Sequence, residues 1–143
     1  MAASPRNPFA YFAKGNVLRA QNRYDEAIPE YEAAIAFDRN RVGAIANLGH
    51  CKLFTGSIEE AISLVERAIR LSPRDPQISV WYDRIGQAYL VQSRLDESIL
   101  WFERARSANP ALPFVHAFLA ATYALKGGIL RNGPPPNSPK PEG

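Results

Sequence analysis

Few residues in this chain are equipped for chemistry. They are His50 beside Cys51, a distant His116, the acid groups Glu59-Glu60 and Glu30 with Glu32, and the spaced cations Arg67, Arg70 and Arg74. A thiol beside an imidazole raises nucleophilic catalysis, in which the imidazole takes the thiol proton and a third group orients the imidazole. Neighbours on a helix point about 100° apart, however, so His50 and Cys51 are predicted to serve as a groove histidine and a buried core thiol. No Cys or His pair has the short spacing of a zinc site, and the acids read as helix-start and solvated-face residues. Gly127-Gly128 is the one adjacent glycine pair, and it precedes a proline-rich stretch, the setting of a helix C-cap and not of a phosphate loop. The three arginines would suit a phosphate stripe, but Glu59, Glu60 and Glu66 lie nearby, so nucleic acid is not an expected partner. The expectation is a chain with no catalytic residues, no metal and no cofactor.

The elements that carry these residues repeat. Gly15, Ala27 and Ala34 recur 34 residues on as Gly49, Ala61 and Ala68, and 37 residues further as Gly86, Ser98 and Ala105. Between the second and third copies the sequence Pro73-Arg74-Asp75-Pro76 lengthens the connection. Within each copy, runs such as Ala61-Ile62, Leu64-Val65, Ala68-Ile69 and Leu71 have the three-to-four-residue apolar period of a helix. The small residues on both helices let the two backbones approach closely, where a leucine would wedge them apart. Asn22, Thr55-Gly56-Ser57 and Ser93 break the chain between the helices, and the acids Asp25-Glu26, Glu59-Glu60 and Asp96-Glu97 then suit a helix N-terminus. Second helices are predicted to end near Asp38, Ser72 and Asn109, with Pro73 and Pro110 following in the later copies. Each unit is predicted to be a helix-turn-helix hairpin.

These residues resemble the tetratricopeptide repeat, whose pattern is W-x2-L-G-x2-Y, A-x3-F and P on a 34-residue period. The third copy reads Tyr82-x2-Ile85-Gly86-x2-Tyr89, Ser98-x3-Phe102 and Pro110; the second has Leu48-Gly49, Ala61 and Pro73, with Lys52 and Val65 at the Tyr and Phe places. The first keeps Gly15 and Ala27-x3-Tyr31, with Arg39 in place of Pro, and a fourth begins with His116-x2-Leu119-Ala120-x2-Tyr123. The resemblance implies an all-α, right-handed superhelical solenoid of about three and a half units. Expected boundaries are a tail at 1–7, repeats at about 8–41, 42–75 and 79–112, a partial repeat at 113–127, and a proline-rich tail at 128–143. The segments from Arg67 to Pro76 and from Trp101 to Ala105 also look like repeat regions of bacterial class III cyclases and transcriptional regulators, which would imply a regulatory fragment.

In such a stack the first helices line a concave wall, and a ligand is expected there. The residues predicted to face it are Phe12, Asn16, Arg19, Asn47, His50, Phe54, Asp83, Arg84 and Gln87. Amides hydrogen-bond a peptide backbone, a guanidinium takes a carboxylate in two places, and aromatic rings anchor apolar side chains. The expected partner is therefore a protein or peptide. Chaperone adaptors of the resembled family hold a partner's C-terminal carboxylate with two Asn, two Lys and one Arg. Asn16, Asn47 and Arg84 match those places, but Phe12 and Val80 fill the lysine places, which removes most of the positive charge.

The last helix is predicted from Pro113 to Lys126 with the apolar residues Phe114, Phe118, Tyr123 and Leu125 and almost no charge, a surface that suits self-association into a homo-oligomer. Beyond it, Pro134 to Pro141 reads as a disordered or polyproline tail. Written with GC-rich codons and read from one base earlier, the stretch from Asn132 to Gly143 becomes ERAAAELAEARR, which has the composition of a repeat's second helix, so a frameshifted repeat is a further expectation. In the 143 residues, 17 basic and 14 acidic side chains leave a net charge of +3, and the single cysteine excludes an intrachain disulfide. A reducing, cytoplasmic setting is the expectation, because residues 1–13 offer no signal peptide and no membrane span.

Overall fold

The seam between the two helices of each unit explains the period. A methyl group added at Gly15 would come within 2.8 Å of the Tyr31 ring, at Gly49 within 2.7 Å of Val65, and at Gly86 within 2.6 Å of the Phe102 ring. Each glycine therefore seats a large side chain of the partner helix directly on its backbone. Ala27, Ala34, Ala61, Ala68, Ser98 and Ala105 are buried along the same seams. Ser98 adds a bond, its Oγ donating to the Gly86 carbonyl at 2.8 Å, so the one hydroxyl among these small residues is satisfied where it is buried.

The computed structural model describes residues 7–132, with side chains to residue 128. Seven helices follow one another: α1 (Pro8–Ala20), α2 (Tyr24–Phe37), α3 (Val42–Phe54), α4 (Ile58–Leu71), α5 (Ile78–Val91), α6 (Leu95–Ala108) and α7 (Val115–Asn132). Helices α1/α2, α3/α4 and α5/α6 form the hairpins; α3, α5 and α7 also pack on the helix before them, and α1, α3, α5 and α7 touch in sequence. No strand occurs among the described residues. The apolar core is correspondingly serial. Leu18, Tyr31, Ala44 and Leu48 join the first unit to α3; Ile45, Val65, Trp81 and Ile85 join the second to α5; Phe102, Val115 and Leu119 join the third to α7. Every hairpin thus completes its core only against the next helix, as stacked repeats do. Among the described residues no helix is long and apolar enough to cross a membrane.

Equivalent turns close the three hairpins. Asn22, Gly56 and Ser93 have φ of 62°, 92° and 59°, the left-handed conformation that ends a helix. The next residues, Arg23, Ser57 and Arg94, each donate a backbone bond of 2.9 Å to Leu18, Lys52 and Tyr89, the six-to-one bond of a Schellman motif. Arg23 and Arg94 then pair with Glu26 and Glu97, first-turn acids of α2 and α6.

The last helix departs from expectation at both ends. It starts at Val115, because Phe114 takes φ of 71° and interrupts the helical path. It also continues through Gly127-Gly128 to Asn132 instead of stopping there. A glycine caps a helix only when it turns left-handed, and neither of these does. As interior residues they weaken the helix by about 1 kcal/mol each relative to alanine without breaking it. Residues 133–143, where the polyproline and frameshifted-helix expectations fall, lie outside the described residues.

Candidate peptide-binding groove

Stacking places α1, α3 and α5 side by side, and the structure opens a cavity of about 480 Å³ along them. Phe12, Arg19, Asn47, His50 and Arg84 line it together with Val80, Trp81 and two residues of the α4–α5 connection, Asp75 and Gln77. Five of the nine groove residues expected from the sequence therefore share one cavity. Asn16 joins them by hydrogen bonding, while Asp83 and Gln87 are on α5 beside Arg84 and do not line the cavity. Phe54 is placed elsewhere. Its ring stacks on Tyr24 at 5.0 Å and lines a separate hollow of about 280 Å³ at the α1–α2 turn.

A polar ladder crosses the first two units. The Tyr31 hydroxyl donates to Asn16 Oδ1 at 2.6 Å, and Asn47 Nδ2 donates to the same oxygen at 3.0 Å. Arg19 Nε donates to the Tyr31 hydroxyl at 3.0 Å, and its Nη1 lies 3.4 Å from His50 Nδ1. Asn16 Oδ1 is thereby used up, whereas Asn16 Nδ2 and Asn47 Oδ1, one donor and one acceptor, make no bond to other described residues. Those are the two groups a peptide unit requires. Sequence reasoning missed Tyr31 as the residue that holds Asn16 and Arg19 in place behind the groove. Its ring fills the seam under Gly15, and the available signal was that Tyr stands at the place where the second and third copies have Val65 and Phe102. Only tyrosine carries a hydroxyl through the seam to Asn16 and Arg19.

Burial sets the electrostatics of this wall. Burial, with Arg84 and Arg19 adding to it, drives the His50 imidazole down to about 3, so it is neutral near pH 7. Burial pushes the Cys51 thiol up to about 11, and the side chain is wholly enclosed in the core between α1, α2 and α3. The two neighbours occupy different sides of α3, and the thiol is not a nucleophile in this setting. Asp83 is only 6% exposed; its Oδ2 accepts from Gln87 Nε2 at 2.6 Å, and its buried Oδ1 has no partner among the described residues. Burial raises the Asp83 carboxyl, with Gln87 and Arg84 opposing that rise. His116 is remote from the groove, with Nε2 2.8 Å from the Pro110 carbonyl oxygen.

The residues expected to drive self-association divide. Phe114, Tyr123 and Leu125 are 73%, 51% and 52% exposed. Phe118 instead turns inward and stacks on Phe102 at 5.3 Å, because α7 presents Val115, Phe118, Leu119 and Thr122 to α6.

Residues 18–79 match the family model described as tetratricopeptide repeat. Over 112 residues the chain is 22% identical to the photosystem I assembly protein Ycf3 of Prochlorococcus marinus, covering 73% of this chain and 65% of that protein. It is 41% identical over 63 residues to the mouse protein O-mannosyl-transferase TMTC1, covering 44% of this chain and 7% of the relative. The chain thus spans less than two thirds of either relative. Among solved structures, the first TPR of Spaghetti (RPAP3), bound to an HSP90 peptide, superposes with a TM-score of 0.75 at 21% identity, covering 87% of this chain and 97% of that one. The glycine seams, the serial core and these matches agree that the fold is a tetratricopeptide-repeat solenoid of three helical hairpins and a closing seventh helix.

Proposed function

We propose that this chain is a non-catalytic binding module that holds a peptide segment of a protein partner along α1, α3 and α5. The observation that carries this is the polar ladder: Tyr31 and Arg19 fix Asn16 and Asn47 so that one amide donor and one amide acceptor stand open beside the cavity. Fixed donors and acceptors lose little side-chain freedom when a ligand arrives, so their bonds contribute more to affinity. Phe12 and Val80 on the cavity wall provide apolar contact where a lysine pair would have supplied charge. The buried, unreactive Cys51 and neutral His50 support a role in binding and not in bond-making. Capture from lysate of the source organism tests this. The double variant Asn47→Ala/Arg84→Ala, shown by circular dichroism to keep its helices, is expected to lose the proteins that the unaltered chain retains. Retention of the same set by both would show that the groove is not the binding surface.

A second reading, association of two copies through α7, is favoured by the exposure of Phe114, Tyr123 and Leu125. Size-exclusion chromatography with light scattering should then show a concentration-dependent dimer that Tyr123→Ser/Leu125→Ser abolishes. A strict monomer at high concentration contradicts it.

A further inference from the structure

The seventh helix carries both halves of the seam that closes each hairpin. As a first helix, α7 places Ala120 where Gly15, Gly49 and Gly86 stand in α1, α3 and α5. As a second helix it reads Ala117-x3-Ala121-x2-Ala124, the spacing of Ala27-x3-Tyr31-x2-Ala34, Ala61-x3-Val65-x2-Ala68 and Ser98-x3-Phe102-x2-Ala105. The small residues of the three closed seams are buried. Ala117, Ala120, Ala121 and Ala124 are all exposed, because among the described residues α7 packs on α6 and α5 and no second helix follows it.

The chemistry of the same face suits burial. No Asp, Glu, Lys or Arg occurs from Ser107 to Leu125, and the next charge, Lys126, turns back to Asp96 of α6 at 2.6 Å. Phe114 and Leu125 stand exposed at the two ends of the alanine row. Gly127 lies inside the helix, yet a methyl group added there would meet nothing within 4 Å, whereas Gly15, Gly49 and Gly86 each seat a large side chain. An uncharged helix face with large apolar side chains at its ends and an empty notch marks an interaction surface.

Register decides what can cover it. The two helices of a hairpin run antiparallel, and in the closed seams Gly15 meets Tyr31, Gly49 meets Val65 and Gly86 meets Phe102. The same register between two copies of α7 sets Ala120 of one against Ala121 of the other. Ala121 of the first copy then meets Ala120 of the second, so one arrangement fills both roles of both helices. Moving outward along the antiparallel pair brings Ala117 opposite Ala124 and Phe114 opposite the open Gly127. Ala120 has a methyl group that the three glycines lack, and Ala121 offsets it by being far smaller than Tyr31, Val65 or Phe102. The contact is two-fold, with the same patch presented by each copy. A foreign helix would have to bring this pattern; a second copy already has it.

We propose that two copies of this chain close the open seam of α7 with one another, antiparallel and in the register of the hairpins. This rests on the second reading above, association through α7, and adds its geometry: the alanine row is the centre of the interface, and Phe114 seated on Gly127 is its outer anchor.

The test uses the full chain in analytical ultracentrifugation and in cysteine cross-linking. Ala121 is exposed in the single chain, so changing it leaves the core untouched. Ala121→Glu and Ala121→Lys, each alone, should weaken the dimer at least about tenfold, because a charge would be buried without a partner. An equal mixture of the two should restore association, since opposite charges then face each other across the axis. Circular dichroism should show the same helix content in all three chains. Cross-linking reads the register. Under mild oxidation Ala121→Cys should form a linked dimer by itself. Ala117→Cys and Ala124→Cys should link when mixed and much less when alone, because each is opposite the other and about 10 Å of helix rise from its own counterpart. Ser63→Cys, exposed on α4, gives the background, and the native Cys51 is wholly enclosed. A dimer that Tyr123→Ser/Leu125→Ser abolishes but Ala121→Glu leaves intact overturns the proposed register and leaves the second reading standing. So does cross-linking that is no stronger in the mixture than in the separate chains. A strict monomer at high concentration removes both.

Discussion

The first and third units close the same seam in the same way and use it differently. Tyr31 lies under Gly15 as Phe102 lies under Gly86, each wholly buried. On its far side Phe102 meets another ring, Phe118 of α7, and its work is packing. Tyr31 instead carries a hydroxyl that bonds Asn16 and Arg19 behind the groove wall. One repeat position therefore joins structure to recognition in the first unit and serves stability alone in the third. A change of one atom, the phenolic oxygen, separates the two roles.

Four changes would break or sharpen this contrast. Phe102→Ala should have the largest effect, a loss of about 3–5 kcal/mol in chemical denaturation, because it removes a wholly buried ring that both the α5–α6 seam and α7 pack against. Acid should come next. His50 has its folded value driven below the ordinary 6.5 to about 3, so its contribution to stability is present above pH 6.5 and declines as pH falls toward 3. Urea midpoints measured in chloride between pH 7.5 and pH 5 should fall for the unaltered chain and much less for His50→Gln. Tyr31→Phe should cost about 1 kcal/mol for its hydrogen bonds. It should also disorder the Arg19 and Asn16 side chains, visible as averaged side-chain N–H signals, and leave the helix content unchanged. The smallest effect is expected from Ser93→Gly, a gain of about 0.5 kcal/mol from relieving a left-handed serine at the turn where the second unit already has Gly56.

Much of the scaffold was legible because seam positions are constrained by sterics that sequence spacing reveals. Gly15, Gly49 and Gly86 had to be small, and the left-handed turn residues Asn22, Gly56 and Ser93 are types that tolerate that conformation. What escaped depends on direction. In α7 apolar residues and alanines occur on all sides, so composition did not reveal that Phe118 turns inward while Tyr123 and Leu125 turn outward. Gly127-Gly128 looked like a terminus because glycine permits a cap, but permission does not compel the left-handed φ. In the groove, α3 residues Asn47 and His50 were readable from helical phase, whereas Phe54, one turn further along, is drawn away by stacking on Tyr24. The hydroxyl of Tyr31 was hidden because the residue already had a complete explanation as core.

The most direct test of the groove as the binding surface is site-specific photo-cross-linking. A photoreactive phenylalanine analogue would replace Val80, on the cavity wall, or Arg70, exposed on α4, in otherwise unaltered chains. Binding along α1, α3 and α5 predicts a discrete cross-linked partner from position 80, lost when Asn47→Ala is added, and none from position 70. Equal cross-linking from both positions, or a partner captured only at position 70, would contradict it.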